Sequence, residues 1–214
     1  MNNNRHTAHT LATMLTTMLV SMVCLMSCND DEDTLPSYIT SLVEVNTDAA
    51  SNVKSIRTDD GNTYSIHQTI SANTADTTYR CLATYTLATQ GVTLYSISPV
   101  FSAHPKPIAD YRSTPRDPVK FVSAWRTDRY VNLRIDILTT GADKHAYGFA
   151  YDGTTTAPDG KHTACFTLLH RRPEADAESY TENVFLSIPL SHYTECDSFA
   201  VSITTYEGEK RIIL

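Results

Sequence analysis

The chain has 214 residues, a formal net charge of −7, 41% hydrophobic and 19% charged residues, and only 7 glycines. Collagen-like, coiled-coil and low-complexity chains are excluded, and there is room for one or two ordinary domains. Thr, Val and Ile number 31, 12 and 12. Side chains branched at Cβ are stiff at χ1 and suit a pleated surface, so the expected fold class is all-β.

Residues 1–27 hold no Asp or Glu, start with Arg5 as a weak positive charge, and continue through an apolar stretch from Leu11 to Met26. That stretch is shorter than the roughly 20 residues a membrane-spanning helix needs. It ends in Leu25-Met26-Ser27-Cys28, a secretory layout with a small residue before the cut. The tetrapeptide resembles a lipobox, which implies a lipoprotein signal peptide over 1–27, cleavage between Ser27 and Cys28, and acylation of Cys28. Each buried methylene of such an anchor contributes about 0.8 kcal/mol, so several chains hold far better than one. Cys24 is the rival site, but Val23 is too large for the position before a cut. Asn29-Asp30-Asp31-Glu32-Asp33 then reads as a solvated, self-repelling tether over 28–35. It also resembles the acidic export signal with which some Gram-negative anaerobes send lipoproteins to the outer face of the outer membrane. Cell-surface exposure is therefore expected, with the periplasmic face as the alternative.

Loss of Arg5 with the signal takes the net charge from −7 to −8. A chain of that sign releases no counterions from a phosphate backbone, so no nucleic-acid partner is expected. Cys81, Cys165 and Cys196 remain, an odd number that leaves at least one thiol unpaired. Cys165 and Cys196 could pair in an oxidising compartment, or all three could be buried free thiols.

In the body, Tyr38 to Val45 alternates, with Ile39, Ser41, Val43 and Val45 on one face. Strands at 52–58 and 63–66 flank Asp59-Asp60-Gly61-Asn62, a strong hairpin signal. Tyr79 to Ala88 alternates with Cys81, Ala83, Tyr85 and Leu87 together, and Thr89-Gln90-Gly91 turns it into Val92 to Phe101. From His104 to Pro118 four of the nine prolines cluster, which reads as a linker or long crossover because proline cannot donate to a ladder. Val119, Phe121, Ser123 and Trp125 then share a phase that puts Trp125 in a core. Beyond the Asp128-Arg129 turn, Val131, Leu133, Ile135 and Ile137 face inward, with Asn132, Arg134 and Asp136 on a wet face. Further strands are expected at 145–151, 162–170, 183–190, 198–205 and 210–214, with turns at Asp152-Gly153, Asp159-Gly160 and Tyr206-Glu207-Gly208-Glu209. The reading is two small β domains, 36–103 and 118–214, joined by a Pro-rich linker over 104–117. One continuous sandwich is the alternative.

The order of features, a lipobox with an acidic tail, Tyr38-Ile39 to Val45, the Asp59-Asp60-Gly61 hairpin, and Asp117-Pro118-Val119-Lys120-Phe121-Val122-Ser123-Ala124-Trp125, resembles the NigD-like lipoproteins. That resemblance implies an N-terminal OB-like β-barrel domain followed by a C-terminal β-sandwich domain. It carries a loose association with bacteriocin production or immunity and supplies no catalytic residues.

The chemistry-bearing residues point the same way. There is no Gly-x-Ser-x-Gly, phosphate-cradling loop or His-Glu-x-x-His. His67, His104, His145, His162, His170 and His192 are scattered, and His162 and Cys165 fall on opposite faces of a strand. Asp59/Asp60 and Glu174/Asp176/Glu178 sit in turn-like, solvated contexts. Asp33-Thr34-Leu35 and Asp76-Thr77-Thr78 resemble an O-glycan acceptor tripeptide. No cofactor, metal or catalytic group is expected. The expectation is a non-enzymatic lipid-anchored protein whose β domains present a surface to a protein or glycan partner. A pilus-type structural subunit that polymerises by strand donation is the alternative.

Overall fold

The alternating segments of the first half become five antiparallel strands: β1 (Ile39–Thr47), β2 (Val53–Thr58), β3 (Thr63–Ser65), β4 (Thr78–Ala88) and β5 (Gly91–Pro99), in the order β3-β2-β1-β4-β5. The computed structural model describes residues 37–141, 144–173 and 180–214, so Ser27, Cys28, the acidic tether and Glu174/Asp176/Glu178 lie outside the described residues. The β2–β3 hairpin forms where expected. Gly61 takes φ +90°, and the Asp60 carboxylate accepts from the Thr58 hydroxyl and from Asn62 Nδ2. The sheet curls until Ile66 bridges Val92 in parallel, a half-barrel where the resemblance implies an OB-like β-barrel. Gly91 stands at that closure with φ +93°, where a Cβ would run into the Ser65 carbonyl oxygen. The barrel core is built from small and medium side chains, among them Val43, Val45, Ile56, Cys81, Ala83 and Leu94.

The second half is a sandwich of two sheets. One contains β8 (Lys120–Arg126), β9 (Tyr130–Thr139) and β12 (Tyr180–Pro189), edged by the two-residue β6 (Phe101–Ser102), in the order β6-β12-β9-β8. The other contains β10 (Ala146–Thr156), β11 (His162–Arg171), β13 (Ser198–Thr205) and β14 (Gly208–Ile213), edged by β7 (Lys106–Pro107), in the order β14-β13-β11-β10-β7. Phe149, Phe166 and Phe199 are fully buried between the sheets with Leu133, Ile135, Leu186, Ile188 and Ile203. Burial of each such side chain contributes about 1.5–3 kcal/mol. The C-terminal strand β14 is paired along its length with β13. Cys81, Cys165 and Cys196 are all free thiols.

The Pro-rich segment lies against the sandwich. Phe101–Ser102 pairs with β12 in one sheet and Lys106–Pro107 with β10 in the other. Pro107 occupies an edge, the place in a sheet where its missing N–H costs no ladder bond. Beyond the 3₁₀ turn Ile108–Asp110, the Tyr111 hydroxyl donates to the Phe149 carbonyl at 2.9 Å, and Pro115 and Asp117 exchange backbone bonds with His170. The chain from Ser37 to Leu214 is one compact unit.

Three sequence expectations need correction. Trp125 is not in the core: a bulge between Phe121 and Ser123 inverts the phase of β8, so Ala124 faces Leu133 and Trp125 faces Asn132 on the opposite side. Asp152-Gly153 is not a turn but a bulge within β10, and the chain reverses at 157–161. Asn132, placed on a wet face by alternation, is 0% exposed, because the barrel covers that face.

Candidate functional site

The covering of that face is the most organised polar arrangement among the described residues. On β4, Cys81, Ala83 and Tyr85 point into the barrel, which turns Arg80 outward. Its guanidinium enters the sandwich sheet where the register sets Ser187 opposite Asn132. Arg80 Nε donates to Ser187 Oγ at 3.3 Å, and Nη2 donates to Asn132 Oδ1 at 3.2 Å and to Asp59 Oδ2 at 2.6 Å. The Ser187 hydroxyl donates to Asn132 Oδ1 at 2.7 Å, and the guanidinium lies 4.1 Å from the centre of the Tyr130 ring. The Arg80 side chain is 1% exposed, so the Asp59 carboxylate and the Tyr130 face supply the counter-charge that a buried cation requires.

Glu44, the residue paired with Arg80 across β1 and β4, makes a second clamp. It accepts from the Tyr130 hydroxyl at 2.6 Å and forms an ion pair with Arg129. Burial pushes the Glu44 carboxyl up, but the bonds from Tyr130 and Arg129 outweigh burial and hold it below its usual range. The same burial, with the Glu44 carboxylate, pushes the Tyr130 hydroxyl up to about 12. The proton therefore stays on the tyrosine. Two neighbouring outward-facing charges thus fasten barrel to sandwich, each on a partner from the opposite body.

Beside the clamps runs a groove. One hollow of about 740 Å³ is lined by Tyr64, Leu82, Leu87, Trp125, Arg134 and Phe185, among others. A second of about 660 Å³ shares Leu82, Asn183 and Phe185 with it and continues towards Lys144, His145 and Glu182. Trp125 meets Phe185 edge-on at 6.5 Å, and the Arg134 guanidinium lies 5.6 Å over the Phe185 ring. Arg134 Nε donates to Asn183 Oδ1 at 2.9 Å, and Asn183 Nδ2 donates to Asp136 Oδ1 at 2.7 Å. The bond from Asn183 is the main cause that holds the Asp136 carboxyl below its usual range.

The sequence candidates for chemistry stay dispersed. Histidines meet only in pairs among the described residues. His104 stacks on His192 at 4.2 Å, and His145 Nδ1 lies 2.8 Å from His170 Nε2. His170, 1% exposed, bonds through Nδ1 to the Asp117 carbonyl, and burial keeps its imidazole neutral to lower pH. His162 bonds Thr156. No group of three or more His, Cys, Asp or Glu among the described residues could hold a metal ion. Asp59 is taken up by Arg80 and Asp60 by its own turn, so they do not form an acid–base pair. Burial pushes the Cys81 thiol up to about 12 and leaves it a poor nucleophile. Arg80, Asn132, Ser187, Arg134 and Asn183 carry no motif; the one sequence signal was an Arg and an Asn at outward positions of otherwise apolar strands.

Residues 102–214 match the NigD-like C-terminal beta sandwich domain. The crystal structure of a NigD-like immunity protein from Bacteroides caccae aligns with a TM-score of 0.62 at 23% identity, over 84% of this chain and 92% of that one. A proposed toxin-related protein from Parabacteroides distasonis aligns at 0.60 with 17% identity, over 83% and 92%. A proposed lipoprotein from Bacteroides fragilis aligns at 0.58 with 10% identity, over 84% and 97%. At such identities the likeness is one of fold. No curated protein matches.

Proposed function

The chain belongs to the NigD-like family, and on that premise we propose that it is a lipid-anchored cell-envelope protein that binds a partner and catalyses nothing. The observation that carries the reading is the groove held between two β bodies by the buried Arg80 clamp. It joins aromatic and planar polar side chains in a fixed geometry, the make-up of a recognition surface, and no group of three or more His, Cys, Asp or Glu among the described residues could hold a metal ion. The attachment is at Cys28, through the acyl chains its lipobox implies; among the described residues no helix is long and apolar enough to cross a membrane. The NigD-like immunity protein and the proposed toxin-related protein of the same fold favour an accessory or immunity role beside a bacteriocin. The anchor sits in the outer membrane with the body facing outward. Pairing of β14 within its own sheet weighs against assembly by strand donation.

The test is expression of the chain and its Cys28→Ala variant in a related host, with acyl labelling and protease treatment of intact cells. Labelling that depends on Cys28, with protease-sensitive protein, is the expected result. Labelled but protected protein would move the body to the periplasmic face. No labelling would overturn the anchor.

A further inference from the structure

The groove is more specific than a general binding surface. We propose that it binds a neutral oligosaccharide, one ring of which stacks on Trp125 while Arg134 and Asn183 engage its hydroxyl groups. This rests on the reading of the chain as a binding protein and names the ligand class.

Four observations converge. The first is the bulge in β8, which takes the single Trp of the chain out of the core and sets it in the groove wall. An indole that lines an open hollow offers an apolar ring on which the apolar face of a sugar can stack. The second is the Arg134–Asn183–Asp136 chain of hydrogen bonds, which fixes planar side chains in one orientation before any ligand arrives. The bond through Nε leaves the two terminal nitrogens of Arg134 as donors in a fork, suited to adjacent hydroxyl oxygens.

The third is charge. Asp59 is neutralised by Arg80. What remains along the groove is Asp60 with Arg134 in one hollow and Glu182 with Lys144 in the other. Opposite signs in equal number disfavour an acidic or basic ligand and suit a neutral one. The fourth is shape. Two hollows of about 740 and 660 Å³ that share Leu82, Asn183 and Phe185 make an elongated trough, the form of a chain-like ligand. An extended peptide is the other chain-like ligand, but it draws its affinity from a free sheet edge. Of the strands that wall the trough, β1, β4, β9 and β12 lie inside their sheets with both edges used, whereas β3, β5, β6 and β8 are outer strands, so a peptide is the rival occupant that the experiment must exclude.

The experiment titrates the full-length chain in detergent with cellohexaose, maltohexaose, mannohexaose and chitohexaose, and follows Trp125 emission and calorimetric heat. At least one sugar is expected to shift the emission with a sub-millimolar Kd. Trp125→Ala and Arg134→Ala should weaken that binding at least about tenfold by calorimetry. Tyr95→Ala, at an exposed aromatic outside the groove, should leave it unchanged. Thermal unfolding shows whether each variant is folded, and Asn183→Ala replaces either groove variant that is not. Failure of all four sugars at millimolar concentration, binding that survives Trp125→Ala, or a groove that takes an extended peptide instead would each overturn the proposal. None of these results touches Cys28-dependent acylation, so the envelope reading stands or falls on its own test.

Discussion

The interior of the sandwich and the seam between sandwich and barrel are held by different physics. The interior is a stack of rings and branched aliphatics, with Phe166 and Phe199 nearly parallel at 6.2 Å and Tyr193 edge-on to Phe166 at 4.9 Å. Such packing is strong, but each contact is non-directional and tolerant of small shifts. The seam is Arg80, Asp59, Asn132, Ser187, Glu44, Arg129 and Tyr130, held by hydrogen bonds and ion pairs that each have a donor, an acceptor and an angle, with the Tyr130 ring beneath the Arg80 guanidinium. Apolar burial makes each body stable, whereas the polar seam fixes their relative orientation. A groove between two bodies needs the second kind of contact more than the first.

That contrast can be broken at its strong end. Phe166→Ala removes a ring that is 1% exposed at the centre of the sandwich, and a loss of about 3–5 kcal/mol is expected in denaturant unfolding. The loss should fall on the sandwich, so far-ultraviolet and Trp125 signals should shift together.

At the seam, Arg80→Met leaves Asp59 without its donor, while Asn132 keeps the Ser187 hydroxyl, and should cost about 3 kcal/mol. The double variant Arg80→Met/Asp59→Leu should recover much of that, because the desolvated carboxylate is gone. Equal losses in the single and double variants would mean that the ion pair, and not its desolvated remnant, carries the stability.

Acid sharpens the comparison further, with smaller effects. Glu44 has a folded-state pKa below its usual 4.5, so its contribution is complete above pH 4.5 and fades as pH falls through the lower folded value. His170 is depressed below 6.5, mainly by burial, so the unfolded chain takes up its proton first and stability falls as pH drops from 6.5 towards the lower folded value. Urea midpoints measured against pH should therefore decline in two stages. Glu44→Gln should flatten the lower stage and His170→Gln the upper. The smallest change in stability is expected from deletion of Val122, which removes the β8 bulge. Its readout is spectroscopic: with Val122 gone, Ala124 still faces Leu133 and Trp125 still faces Asn132, so Trp125 should stay on the groove face and keep its emission wavelength.

Much of the fold was legible in the residues. Alternation located every long strand within a few positions, and Asp59-Asp60-Gly61-Asn62 gave the hairpin. What escaped was whatever depended on one residue too many. A period-2 pattern cannot register a bulge, so Trp125 was assigned to the wrong face, and Asp152-Gly153 passed for a turn although the strand runs on through it. The site was scarcely legible. Asn132 and Arg134 read alike as solvent-facing polar residues of one strand, yet Asn132 is sealed under the barrel and Arg134 stands in the groove. The distinction is made by a neighbour about fifty residues distant in sequence, which local pattern does not reach.

The run from Phe101 to Pro107 has a consequence for how the molecule behaves when cut. It lends an edge strand to each sheet of the sandwich before the rest of that sandwich has begun in sequence. A nick in the exposed stretch at Arg112 would therefore separate the backbone without separating the halves. The first fragment would keep its grip through β6 and β7, as well as through Arg80 and Glu44. The protein is in this sense a self-complementing pair, and two co-expressed pieces divided there should reassemble into one body.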